Sequence, residues 1–372
     1  MSGELADVVV DSKGFRAASA AYAEVADAHG RAQAARVGVD RAITDVRAGA
    51  RLRRAEAVAA RARIEGLRHR LAAVEAAIAD LSIQLYVSGG STARVDAALT
   101  QPSPSINDHD RRAVLGTSAM DVLLAERSAY RQRFDAATAA AAAADEGLAE
   151  ASAAGARAHR ARGDSVHDEV RTAGRVGVER VRYEEARALA TVDRVDFALV
   201  ALDAYHRAAR SVDADDPECG VSWWALAGIS RVEGRHGTYG GAELDARGDA
   251  TRRIIGIQLN GTNSTAVVGD TDDGALDGDP VYDRAVGPMQ FIPQTWSRFV
   301  SDGNEDGVAT PFNMYDATLA AARYLCRSSR GLHDDSALRT AYFSYNHSRA
   351  YVDRVLELAR GYERALDLPP DD

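Results

Sequence analysis

The residue whose type and setting most directly offer chemistry is Glu233. It lies in Trp223-Trp224-Ala-Leu-Ala-Gly-Ile-Ser-Arg-Val-Glu233-Gly-Arg-His236-Gly. This stretch reads as a helix that is apolar on one side and stops at glycines. A carboxylate at the end of such a helix is costly to bury. Burial raises its pKa and keeps it protonated near neutral pH, as a general acid requires. Alone, Glu233 would read as an ordinary surface residue at a helix end. Three downstream segments change that: Gly287-Pro288-Met289-Gln290-Phe291-Ile292-Pro293, an acidic loop from Asp302 to Asp316, and Tyr345-Asn346-His347-Ser348.

The acidic loop places Asp302, Asn304 and Asp306 at positions 1, 3 and 5, followed by Gly307 at position 6. That is the opening of an EF-hand calcium loop, although position 12 is Asn313 rather than the usual glutamate. A polar turn without metal is the alternative. The Gly/Asp-rich stretch from Asp270 to Asp279 reads as an exposed loop.

In order and spacing, these segments resemble the catalytic domain of lytic murein transglycosylases, of the soluble transglycosylase B type in its actinobacterial form. The resemblance covers roughly residues 215–362. It implies a lysozyme-like helical fold with Glu233 as the single acid/base. It also implies a sugar groove lined by Met289, Gln290 and Phe291 and faced by Tyr345 and Asn346. Each polar group has a plainer reading: Gln290 as a helix cap, Tyr345 as core, Asn346 as a turn residue. In this family an aspartate fourteen residues after the first ligand closes the calcium loop, and Asp316 stands there. The resemblance therefore implies a structural Ca2+ held by Asp302, Asn304, Asp306, the Val308 carbonyl and Asp316, and no cofactor for catalysis.

Ordinary glycosidases use two carboxylates, roughly 5–5.5 Å apart for retention and 6.5–9.5 Å for inversion. The motifs here offer one. The reaction implied is cleavage of the β-1,4 bond between N-acetylmuramic acid and N-acetylglucosamine, with a 1,6-anhydro-muramic end formed. No water is consumed, so no second carboxylate is needed to activate one. The competing expectations are a muramidase that uses water and a silent peptidoglycan-binding scaffold or hydrolase activator.

The rest of the chain must position this domain. Residues 12–87 lack proline, and Ile64, Leu67, Leu71, Val74, Ile78, Leu81 and Leu85 step by 3, 4, 3, 4, 3, 4. That is a coiled-coil heptad seam. A second proline-free helical region runs from about Ser118 to Arg210. So long an alanine-rich helix needs a partner to bury its seam. The expected fold is mainly α: an antiparallel coiled-coil hairpin over 1–210 with its tip at about 88–117, a helical catalytic domain over 211–364, and a tail at 365–372. This half resembles, more loosely, the coiled coils that precede catalytic domains in actinobacterial wall hydrolases. That implies restraint or positioning of the enzyme, with a membrane-bound division or wall-remodelling partner. An inert stalk or dimerisation rod is the alternative.

A formal net charge of −10 argues against a nucleic-acid partner. Lys13 is the single lysine among 45 basic residues, a bias that speaks of genome composition. The two cysteines, Cys219 and Cys326, fall within the catalytic domain. They read as a disulfide or as two buried free thiols, and a murein substrate outside the membrane favours the disulfide. No apolar run is long enough to span a membrane, and residues 1–11 form no recognisable signal peptide. The expected location is nevertheless extracellular or the cell envelope, where murein lies.

Overall fold

The computed structural model describes residues 5–87, 108–263, 265–366 and 368. The proline-free N-terminal sequence forms one helix, α1 (Lys13–Val87, 75 residues), about 110 Å long at 1.5 Å per residue. A second, α2, runs over Asp108–Ala188. The expected tip is thus already helical from Asp108, and residues 88–107 lie outside the described residues. The chain divides into two compact units, residues 28–172 and residues 1–27 with 173–372.

The first unit is the antiparallel hairpin of α1 and α2. All seven seam residues between Ile64 and Leu85 are buried or half-buried, and every residue between them is exposed. Pairs across the helices mark the register. Arg36 meets Glu169 at 2.6 Å, Arg162 meets Asp40 at 2.8 Å and Arg61 meets Asp145 at 2.8 Å. His29 Nδ1 lies 3.0 Å from the Thr172 hydroxyl at the base.

The returning helix ends at Ala188, well before the expected Arg210. Beyond it, β2 (Thr191–Val192) pairs antiparallel with β1 (Val10–Asp11). A long-range strand pairing, in which Val10, Thr191 and Val192 are β-branched, overrides the local helical pattern there. Residues Leu199–Asp215 then form a separate helix, α3, whose Leu199, Leu202, Tyr205 and Ala209 are buried. The boundary expected between 210 and 211 is therefore displaced: α3 is core of the second unit, as are Leu5 and Val10.

That unit is mainly helical. Its further helices are α4 (Trp223–Glu233), α5 (Pro293–Phe299), α6 (Met314–Ser328), α7 (Asp335–Tyr345) and α8 (Arg349–Ala365). α4 packs on α8, and α3 on α6. Gly228 permits the first contact, because a Cβ there would lie 2.8 Å from the Val355 carbonyl oxygen and 2.9 Å from the Ala359 Cβ. Strands β3 (Ile255–Gln258) and β4 (Arg284–Val286) form a small antiparallel pair. Among the described residues no helix is long and apolar enough to cross a membrane.

Cys219 and Cys326 form a disulfide with a Cα–Cα distance of 5.2 Å, joining the loop before α4 to α6 across 107 residues. Closing a loop of that length restricts the unfolded chain by about 5 kcal/mol in the entropy account. Reduction, or Cys326→Ser, is expected to lower unfolding free energy by about 2–5 kcal/mol, read by urea titration with and without reductant.

Candidate active site

Glu233 is the last residue of α4, whose preceding turns are apolar and buried. Its side chain is half-buried, open to a cleft but crowded by protein on its other sides. Burial pushes its pKa up from 4.5 to about 7, and a hydrogen bond from Tyr351 opposes part of that rise. The buried Tyr351 hydroxyl makes no hydrogen bond of normal geometry, so it is near Glu233 without being firmly bonded to it. The cleft encloses about 200 Å³. It brings together Glu233, Gln290, Phe291, Tyr345 and Asn346, with Tyr324 and Thr295 beside them. Glu233 is the single carboxylate among these lining residues.

Gln290 sits in the left-handed region at φ +51°. Its side-chain amide donates to the Gly287 carbonyl at 2.9 Å, which leaves its own carbonyl oxygen as an acceptor. Gly256 makes room for that oxygen, since a Cβ there would approach it to 2.9 Å. The Tyr345 ring packs edge-on against Phe291 and Tyr324. Its hydroxyl donates to the Met289 carbonyl at 2.7 Å, so Tyr345 contributes a wall to the cleft. Met289 departs from expectation. Its side chain is fully buried in the core and does not line the cleft, because the turn at 287–290 directs it inward, whereas Gln290 and the largely buried Phe291 line the cleft.

Two features near Glu233 escaped the sequence reading. One is Tyr351, six residues past Tyr345, brought back by the start of α8. The other is His236, 2% exposed, in a turn where Arg235 and His236 both adopt positive φ (+48° and +57°). Non-glycine residues in that region are strained and persist only where surroundings hold them. His236 Nδ1 lies 2.6 Å from the Tyr205 hydroxyl and Nε2 lies 2.9 Å from that of Tyr362. Tyr362 donates to Asp196 at 2.7 Å, and Arg231 pairs with Asp196 at 2.6 Å. Burial lowers the His236 pKa despite Asp196, while the Asp196 carboxyl is held far below its ordinary value, first by His236 and then by Tyr362 and Arg231. The Glu-Gly-Arg-His spacing was the available signal, but the partners come from α3, α8 and the 193–198 loop.

The Gly/Asp-rich stretch 270–279 is a loop, as expected, but it is exposed only in part, with Asp277 and Asp279 turned inward. Asp277, Asp279 and Asp283 are buried and bound within the β3–β4 region. Asp277 accepts from the Arg284 amide at 2.6 Å, Asp279 from Gln258 and Arg284, and Asp283 from Thr271. Asp270, Asp272 and Asp283 bring carboxylate oxygens within 4.8 Å of one another. Buried polar groups need partners, and the loop's amides supply most of them. Residues Leu259 and Ala285 of this region also line the cleft.

The 302–316 loop is folded around its own side chains. Asp302 accepts from the amides of Asp306 and Gly307, and Asn304 also accepts from the Asp306 amide. Asp306 accepts from the Val308 amide. Asp316 is fully buried and accepts from Gly303 at 2.7 Å and Thr310 at 2.9 Å. Burial pushes its pKa up to about 6, and Asp302 and Asp306 add to the rise. A buried carboxylate repelled by two others is a donor set that a divalent cation would suit.

The chain matches no protein-family model, no curated protein and no solved structure.

The raised pKa of Glu233 carries a stability cost. The folded state prefers the protonated acid, so the penalty is absent below pH 4.5 and grows as pH rises through about 7. Glu233→Gln is therefore expected to stabilise the protein by about 1–3 kcal/mol at pH 8 and by little at pH 4, measured by chemical denaturation at both.

Proposed function

We propose that the second unit is a lysozyme-like lytic transglycosylase acting on peptidoglycan glycan strands. The observation that carries this reading is a carboxyl whose pKa burial raises to about 7, at the wall of a cleft whose described lining residues include no second carboxylate. In the first step Glu233 donates its proton to the glycosidic oxygen as the muramic C1–O bond breaks, releasing the N-acetylglucosamine hydroxyl. In the second, the Glu233 carboxylate takes the proton of the muramic C6 hydroxyl as that oxygen bonds to C1. The acid is restored and the product carries a 1,6-anhydro ring. The free carbonyl of Gln290 and the side chain of Asn346 are placed to hold N-acetyl groups. The Tyr345 and Phe291 rings support the sugar faces.

A substrate outside the membrane agrees with the disulfide, which persists in oxidising compartments. The hairpin is read as a restraint or positioning device, answering to a membrane-bound wall-remodelling partner. The 302–316 loop is read as a structural calcium site formed by Asp302, Asn304, Asp306, the Val308 carbonyl and Asp316. The cation would offset the mutual repulsion of these carboxylates and brace the start of α6.

Purified peptidoglycan treated with the full chain is expected to yield 1,6-anhydro-muramic ends by mass spectrometry. Glu233→Gln should reduce them at least about 100-fold. Reducing ends would instead identify a muramidase that uses water, and no products from either protein would favour the scaffold. Excision of 28–172 with a short linker is expected to raise turnover; an unchanged rate would mark the hairpin as a stalk.

Calcium at about 100-fold excess over its Kd is expected to add about 2.7 kcal/mol to unfolding free energy, and Asp316→Asn to remove that gain. Differential scanning calorimetry with calcium or chelator reads it, and identical traces would refute the site.

A further inference from the structure

The middle of α1 carries charge that the catalytic reading does not use. Between residues 41 and 70 there are nine arginines (41, 47, 51, 53, 54, 61, 63, 68 and 70) against Asp45, Glu56 and Glu65, a net of +6 in a chain of net −10. All nine are exposed. The facing stretch of α2, residues 131–160, holds four arginines and four carboxylates and so leaves this excess uncancelled.

The arrangement is ordered. Arg47, Arg54, Arg61 and Arg68 recur every seventh residue, and Arg51 stands between the first two. Steps of three, four and seven keep side chains on one face of a helix. The five form a ridge about 32 Å long, with guanidinium groups about 5–10 Å apart along the axis. Arg61 and Arg68 have one carboxylate each, and Arg47 contacts His159. Among the described residues Arg51 and Arg54 have no carboxylate partner.

Like charges at i,i+3 and i,i+4 destabilise a helix, and a face needed only for solubility would intersperse the two signs. Arg47–Arg51 and Arg51–Arg54 stand in those unfavourable relations. A bound polyanion would reverse their sign.

We infer that this arginine ridge docks a linear polyol-phosphate polymer. Guanidinium groups bind phosphate oxygens through paired N–H donors, and a straight ridge suits an extended chain with regularly spaced phosphodiesters. Residues 41–70 contain no Phe, Tyr or Trp ring on which nucleobases could stack. Their exposed large apolar residues are just Leu52 and Val58, too few for the apolar face of a bilayer-lying helix. The choice of an envelope polymer also rests on the wall-directed reading above, but its test does not depend on catalysis.

The test is fluorescence anisotropy of labelled poly(glycerol phosphate) titrated with the full chain from 50 to 300 mM NaCl. About five neutralised phosphates predict a log–log salt slope near −3.5. Arg47→Gln/Arg51→Gln/Arg54→Gln should weaken binding at least about tenfold and flatten the slope by about 2. Arg131→Gln/Arg157→Gln/Arg160→Gln removes equal charge from α2 and should change binding less than about twofold. Circular dichroism confirms that both variants keep their helices. Equal losses in the two variants, or no salt-dependent binding by the parent chain, would overturn the inference. So would tighter binding of single-stranded DNA or of phosphatidylglycerol vesicles. Anhydro-muramic product formation should be unchanged in the first variant. Polymer binding and product formation are read separately, so failure of either reading is distinguishable from failure of the other.

Discussion

The constraint on which the second unit depends is the partial desolvation of one carboxyl where an apolar helix ends. The pKa of Glu233 rises to about 7 because protein crowds most of its surroundings, not because a neighbouring charge acts on it. That crowding needs α4 pressed against α8, which Gly228 allows by removing a side chain from the contact. It also needs the chain to leave Glu233 sharply. Gly234 does this, since a Cβ there would lie 2.5 Å from the Pro288 carbonyl oxygen. The same approach brings the 287–291 turn, with Gln290 and Phe291, to the cleft.

The turn after Glu233 is held by a buried polar relay. His236 and Arg235 adopt backbone angles that ordinary residues avoid. The cost is offset because both imidazole nitrogens, both tyrosine hydroxyls and the Asp196 carboxylate find partners. A fully satisfied buried network is rigid, and a partly satisfied one is costly. Asp196 lies between β2 and α3, just after the chain returns from α2. The segment that follows the hairpin's second helix is thus bonded to the turn that orients the candidate acid.

The hairpin follows a simpler principle. Small and aliphatic residues at heptad spacing bury a narrow seam, and cross-helix ion pairs flank it. Such exposed pairs each contribute little. Its length comes from continuity of one periodic pattern, which leaves the outer faces free to carry charge without disturbing the seam.

Local, periodic and covalent features were legible in the sequence: the span of α1, the heptad seam, the end of α4 at Glu233 and the cysteine pair. Helical periodicity and glycine stops act over a few residues and need no knowledge of distant partners. The end of α2 at Ala188 was not legible, because the β1–β2 pairing that stops it joins residues about 180 positions apart. Nor was the inward turn of Met289, the folding of Asp277, Asp279 and Asp283 into the β3–β4 region, the approach of Tyr351 to Glu233, or the relay around His236. A residue's type sets what chemistry it can do. Which side chains lose water, and beside which partners, is decided by packing between segments far apart in the chain, and here that packing raises the pKa of Glu233.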